Sequence, residues 1–184
     1  MLLGKVASVV GDPGGNGSLR AISAVGAAWV VSLAFDLFLH AGLLARLYTE
    51  PSPFLLQAED AFRRIPLGYA SFLALTLGLY WLFRRLGVLG AIAGFWRGLT
   101  FGAAAWGIFV VGLYSISTAS LPLLVGWWAG QSVELGLAGA VLGGAAGGVP
   151  LKRLWIFAIL ALVGSIVVTV VLQSVGFAPA MKLV

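Results

Sequence analysis

Three ionisable side chains, Asp36, His40 and Glu134, lie deep in apolar runs that otherwise suit only lipid. A charge at membrane depth costs at least ~2.5–3.5 kcal/mol on insertion scales, so such residues have a partner or a task. Asp36 and His40 stand one helical turn apart, on a stripe with Trp29 and Ser32; Trp127, Gln131 and Glu134 share a face in the same way. Two buried carboxyls beside a histidine can relay protons. The same groups can hold a divalent cation, although no H-x-x-x-H, second histidine or cysteine accompanies them. The structural alternative is local pairing. Asp36 then bonds His40, Glu134 bonds Gln131 or a tyrosine hydroxyl, and the pairs hold helices in register without chemistry.

The elements that position these residues follow from composition. The 184 residues are 61% hydrophobic and 9% charged, with a mean hydropathy of +1.07. Soluble domains are about 45–50% apolar and about 25% charged, so the chain reads as one membrane domain without a soluble module. A spanning helix needs ~20 apolar residues. Five runs qualify, at about 22–47, 65–83, 89–116, 122–147 and 154–175. None alternates with period two, so the expected fold is all-α, a polytopic transmembrane helical bundle. Residues 1–20 hold a run of turn formers from Asp12 to Ser18 and read as a flexible or surface-lying cytoplasmic tail, too broken for a signal peptide. Residues 177–184 form a short C-terminal tail.

The long connection from Tyr48 to Arg64 reads as an outer interfacial helix over about 52–64. Ser52 and Pro53 form its start, Phe54, Leu55, Ala58 and Phe62 its greasy face, and Glu59–Arg63 and Asp60–Arg64 its wet-side pairs. A connector lying on headgroups is the plain reading, a lid over the bundle the functional one. Small residues recur every fourth position at Gly94, Gly98 and Gly102, and again at Ser132, Gly136, Ala140, Gly144 and Gly148, a spacing that lets helix backbones approach closely. The third and fourth runs therefore pair as a tight hairpin. A second row, Gly139, Gly143 and Gly147, is available to the fifth run or to another subunit.

With the N-terminus inside, the inner segments carry Lys5, Arg20, Arg84, Arg85, Arg97, Lys152 and Arg153, and the outer ones Arg46, Arg63, Arg64 and Lys182. Positive-inside counting thus favours N-in and C-out. Asp36 lies roughly 20 Å above the inner end of its helix and Glu134 roughly 20 Å below the outer end of its own. Together with Tyr114, which caps the outer end of the third run, these residues outline an outward-facing polar pocket of Asp36, His40, Gln131, Glu134, Tyr114, Trp29 and Trp127. Tyr69, Thr76 and Tyr80 in the second run and Ser165, Thr169 and Gln173 in the fifth are further polar candidates, each triplet on one helical face, although Ser and Thr readily bond their own helix backbone. Arg97 snorkels to the inner headgroups or, less simply, reaches for Glu134.

The absence of cysteine removes disulfide, thiolate and iron–sulfur chemistry, and one histidine cannot make a bis-His haem site. No Ser–His nucleophile spacing or zinc motif marks an enzyme. The net charge of +5 is scattered in pairs at run ends rather than in a stripe, which points to headgroups and not to nucleic acid. No cofactor is expected, and the partners are the lipid bilayer and either a second copy or a larger membrane complex.

The third run ends Gly112-Leu113-Tyr114-Ser115-Ile116-Ser117-Thr118-Ala119, followed by Pro122 and a Trp-rich run with an embedded acid. Over about residues 29–147 this resembles small uncharacterised bacterial inner-membrane proteins that have four helices, an acid in the first, and a Tyr-Asp-Leu-Thr-Asn-like end to the third. Ser115 stands where that family has Asp, and Glu134 is off its usual acid position. The resemblance implies a multi-pass protein of a bacterial-type inner membrane and no activity. The expected function is binding or passage of a small solute, cation or proton through the pocket; an accessory or assembly subunit is the other reading.

Overall fold

Apolar runs become helices between their glycine and proline stops, and the computed structural model, which describes residues 16–49 and 52–179, is helical with no strand among those residues. The order is α1 (Asn16–Phe38), a π turn (Leu39–Leu43), α2 (Ala45–Thr49), α3 (Ala58–Leu86), α4 (Ala91–Ile116), α5 (Leu121–Ala146) and α6 (Leu151–Ser174). α3 stops at Gly87, whose φ of +63° is a left-handed C-cap, and Val88 N–H closes it onto the Phe83 carbonyl. α5 opens with Pro122 in its first turn, where no amide is needed.

Two expectations on element bounds need correction. α1 starts at Asn16, inside the residues read as tail, because Asn and Ser suit the first turn of a helix as well as a loop; the tail's residues 1–15 lie outside the described residues, as do 50, 51 and 180–184. No separate interfacial helix covers 52–64. Residues 52–57 are irregular, the Ser52 hydroxyl accepts the Phe54 amide in a local turn, and helix begins at Ala58 and runs unbroken through Pro66 to Leu86. The Glu59–Arg63 pair forms at 2.5 Å on the solvent side. Asp60 and Arg64 do not pair.

α4 and α5 run antiparallel with their backbones in contact. A Cβ on Gly94 would strike the Gly139 carbonyl, one on Gly98 the Leu135 carbonyl, and one on Gly102 would come within 2.9 Å of the Ser132 Cα. Gly90 N–H donates to the Gly143 carbonyl at 2.8 Å, locking the start of α4 to the end of α5. The second glycine row, Gly139 and Gly143, thus faces α4, not α6 or another subunit. Gly136 receives the Phe95 ring, whereas a Cβ on Gly144 would find only ordinary contacts from 3.6 Å outward. α1 runs parallel to α6: Trp155 Nε1 donates to the Ser23 hydroxyl near their starts, and Gln173 to the Ala41 carbonyl near their ends.

The core fills the space between α1, α3, α5 and α6, with Val31, Leu79, Leu135, Ala138, Leu142 and Ala158 at its centre. α5 is its hub, buried along most of its length. Outward faces of α3, α4 and α6 expose large apolar side chains such as Trp81, Ile92, Ile108 and Leu160. Four helices, at Gly17–Leu43, Glu59–Leu86, Ala91–Ile116 and Leu151–Ser174, are long and apolar enough to cross a membrane. The expectation of five is corrected to four. α5 is equally long, but glycine, Trp127, Trp128, Gln131, Ser132 and Glu134 dilute its apolarity. A helix wrapped by its neighbours has no need to match lipid.

Candidate functional site

The polar residues of α1 and α5 meet where α1 loosens into the π turn. Two notches on α5 seat that turn: the Leu39 side chain occupies the space a Cβ on Gly130 would take, and Leu44 the space at Gly126. Asp36, about one turn inward of it on α1, is a near neighbour of Glu134 on α5. Ser32 of α1 and Gln131 of α5 are hydrogen-bonding neighbours of the Glu134 carboxyl. Glu134 is 1% exposed, and Ser32 and Gln131 are also buried.

His40 Nε2 lies 3.0 Å from Asp36 Oδ1. The oxygen is off the line of a good hydrogen bond, so Asp36 Oδ1 has no hydrogen-bond partner, and neither does Glu134 Oε2. Both are buried, and an unpaired polar group in such a place is costly. On its other side the His40 ring is hydrogen-bonded through Nδ1 to the Tyr48 hydroxyl, which also accepts the Trp127 indole N–H. Donor chemistry orders this chain. An indole only donates, so the Tyr48 oxygen accepts from it and its own proton is free to go to His40 Nδ1. That leaves the Nε2 of a neutral His40 carrying the hydrogen that faces Asp36. Burial holds the Tyr48 hydroxyl well above the usual tyrosine range, against the lowering effect of the Trp127 bond and with a smaller push from Asp36; it stays a donor at neutral pH.

Exposure falls inward along the chain, from 29% for the His40 side chain to 17% for Asp36 and 1% for Glu134. Phe54, from the irregular segment 52–57, packs on Trp127 with ring centroids 6.1 Å apart and covers the outer end. Beyond Glu134 the path stops in the core at Val31, Leu135 and Ala138.

Of the residues expected in one pocket, Asp36, His40, Gln131, Glu134 and Trp127 come together. Trp29 does not: its indole donates to the Tyr69 carbonyl of α3 at 3.0 Å, tying α1 to α3 instead. Tyr114 is 61% exposed at the end of α4, on the far side of the glycine seam. Thr169 and Gln173 flank the π turn, with Thr169 Oγ1 buried and unpartnered. The pocket itself is a closed polar cluster; the two cavities that stand out are lined by other residues. Among the described residues no three His, Asp or Glu side chains are grouped to hold a metal ion.

Tyr48 is the member that sequence reasoning missed. On an unbroken α-helix it would project roughly 80° away from His40, and the extra residue of the π turn takes up roughly 100°. The signal available was an aromatic hydroxyl two turns beyond the histidine, at the point where the apolar run ends. Compared with protein-family models, with curated proteins and with solved structures, the chain matches none.

Proposed function

We propose that this is a multi-pass membrane protein that binds a proton at the Asp36–Glu134 pair and reaches it from one face only, through His40 and Tyr48. The observation that carries the reading is the pair itself, a buried Glu134 and a half-buried Asp36, each with a buried, unpartnered oxygen, beside a hydrogen-bonded and half-buried His40–Tyr48–Trp127 chain. A proton needs no cavity, which suits a closed cluster better than a solute does. Loading balances as one concerted relay: a proton enters the Tyr48 oxygen from the outer side as the Tyr48 proton moves to His40 Nδ1 and Nε2–H passes to Asp36, with no phenolate formed. His40 is left as its Nδ1–H tautomer and must flip or retautomerise before a second proton can follow.

The entry face is the outer one under the positive-inside rule, because the opposite end of the bundle carries Arg20, Arg84, Arg85, Lys152 and Arg153 and no acid among the described residues. In a bacterial-type inner membrane that face meets the more acidic side. With the core closed beyond Glu134, the protein by itself is a proton-loading site and not a channel; net transfer would require a second state or a partner subunit.

Infrared difference spectra of the protein in vesicles, titrated with pH, test this reading. A protonated carboxyl component distinct from the solvent-exposed acids such as Glu59 and Asp60 is expected to grow as the pH falls, to weaken in Asp36→Asn and in Glu134→Gln, and to be lost in the double variant, which retains only the band of the remaining acids. Tyr48→Phe should keep the band but slow its appearance after a pH jump. An unchanged band in the double variant sinks the proposal and leaves the accessory-subunit reading ahead.

A further inference from the structure

A second feature lies on the opposite side of the bundle. α3 and α4 are joined by a tight turn but diverge beyond it, and the seam between them is an apolar groove of about 750 Å³ lined by Leu75, Gly78, Leu79, Leu82, Phe101 and Trp106. It extends along α3 from Ser71 to Leu82, a rise of roughly 16 Å. That is close to half of a ~30 Å hydrocarbon core, the depth of one leaflet.

At its inner end the seam changes character. A smaller cavity of about 340 Å³ sits at the α3–α4 turn, bounded by Leu86, Val88, Leu89, Ala93 and Arg97. Leu86 continues the Leu82 row and Arg97 the Phe101 row, each at a spacing of four, so both cavities lie along one face. Arg97 is exposed, roughly 9 Å into its helix, and makes no ion pair or hydrogen bond among the described residues. An unpaired cation at that depth is costly without an anion. The first turn of α4 lies beside it with no side-chain cap, which adds free amides and the positive end of a helix dipole. Arg84 and Arg85 flank the same end, stacked over Tyr80 at 6.0 Å and Trp81 at 5.5 Å.

We propose that this seam is a binding site for an anionic phospholipid, its phosphate held by Arg97 and the α4 N-terminus and one acyl chain lying in the groove. Leaflet-length apolar shape followed by concentrated positive charge matches that molecule. A zwitterionic lipid fits the groove but brings its own cation to the arginines, and a second copy of the chain would have to supply an acid at this end of the bundle, where the described residues have none; the exposed Glu59 and Asp60 lie at the other end.

Native mass spectrometry of the delipidated protein, titrated with phosphatidylglycerol or with phosphatidylcholine of the same chains, decides the matter. Phosphatidylglycerol should bind about tenfold tighter, because both lipids offer the phosphate but only phosphatidylcholine sets a second cation beside Arg97, Arg84 and Arg85. Arg97→Gln should abolish that preference, while Arg153→Gln, at the same bundle end but on α6, should keep it. Gly78→Leu should lower retention of both lipids; a Cβ there meets nothing within 4 Å and the rest of the side chain extends into the groove, and circular dichroism of each variant separates lost binding from lost folding. Equal binding of the two lipids, a preference surviving Arg97→Gln, or unchanged retention in Gly78→Leu overturns the site. Displacement of phosphatidylglycerol by millimolar inorganic phosphate overturns it too, in favour of a plain anion site.

Discussion

Removing one oxygen atom tests the hydrogen-bonded chain directly. Tyr48→Phe deletes the hydroxyl that accepts from Trp127 Nε1 and meets His40 Nδ1. A fully buried group left unpartnered costs about 1–3 kcal/mol. Tyr48, Trp127 and His40 are only half-buried, and water reaches part of each, so the expected loss is about 1–2 kcal/mol for the pair of orphaned groups. Trp127→Phe removes the N–H together with part of the ring packed on Phe54 and costs more. In the double variant no indole N–H remains to be orphaned, so its loss should fall short of the sum of the two single losses by about 1 kcal/mol. Unfolding by SDS titration in mixed micelles measures all three. The same variant has an alkaline signature. A hydroxyl whose proton is held more tightly folded than unfolded contributes stability below the ordinary tyrosine value of 10.0 and loses it as pH rises beyond. Wild type should therefore lose more stability above that pH than Tyr48→Phe does. Losses additive within ~0.3–0.5 kcal/mol, or identical alkaline profiles, would refute the bond network.

Two further outcomes follow from backbone contacts. Gly98→Ala should destabilise by about 1–3 kcal/mol, because its Cβ lands 2.9 Å from the Leu135 carbonyl carbon and the backbones must part; Gly78→Ala, in open space, should be neutral or stabilising, and equal losses in the same micelle titration would contradict the seam. Arg20 donates to the Ala145 and Val149 carbonyls at 3.0 and 3.2 Å, closing the end of α5, so Arg20→Gln should cost about 1 kcal/mol and speed hydrogen exchange in that turn; unchanged exchange would show the cap to be idle.

Much of this was readable in the chain because it is local. Apolar runs, their glycine and proline stops, the Asp36–His40 spacing and the four-residue small-side-chain rows depend only on helical geometry. What lay beyond was the phase between elements. The rows at Gly94 and Ser132 indicated a tight hairpin, but that Gly139 and Gly143 also face α4 depends on how far α5 rotates about its axis. Trp29 shares a stripe with Asp36, yet its longer side chain reaches the Tyr69 carbonyl on α3. Segment 52–64 has an amphipathic pattern, and only the observed path shows that helix starts at Ala58 and continues through Pro66.

The sequence by itself determined an all-helical, lipid-compatible chain with an Asp36–His40 pair and glycine faces, since each of these is a property of consecutive residues on one helix. Only the tertiary structure decided that α5 is the interior hub, and that Tyr48 joins the site while Tyr114 stays outside it. The reason is physical. Burial and cross-helix contact depend on the rotation of one helix against another, and a single extra residue in the π turn resets the phase of α2, and with it Tyr48, relative to α1.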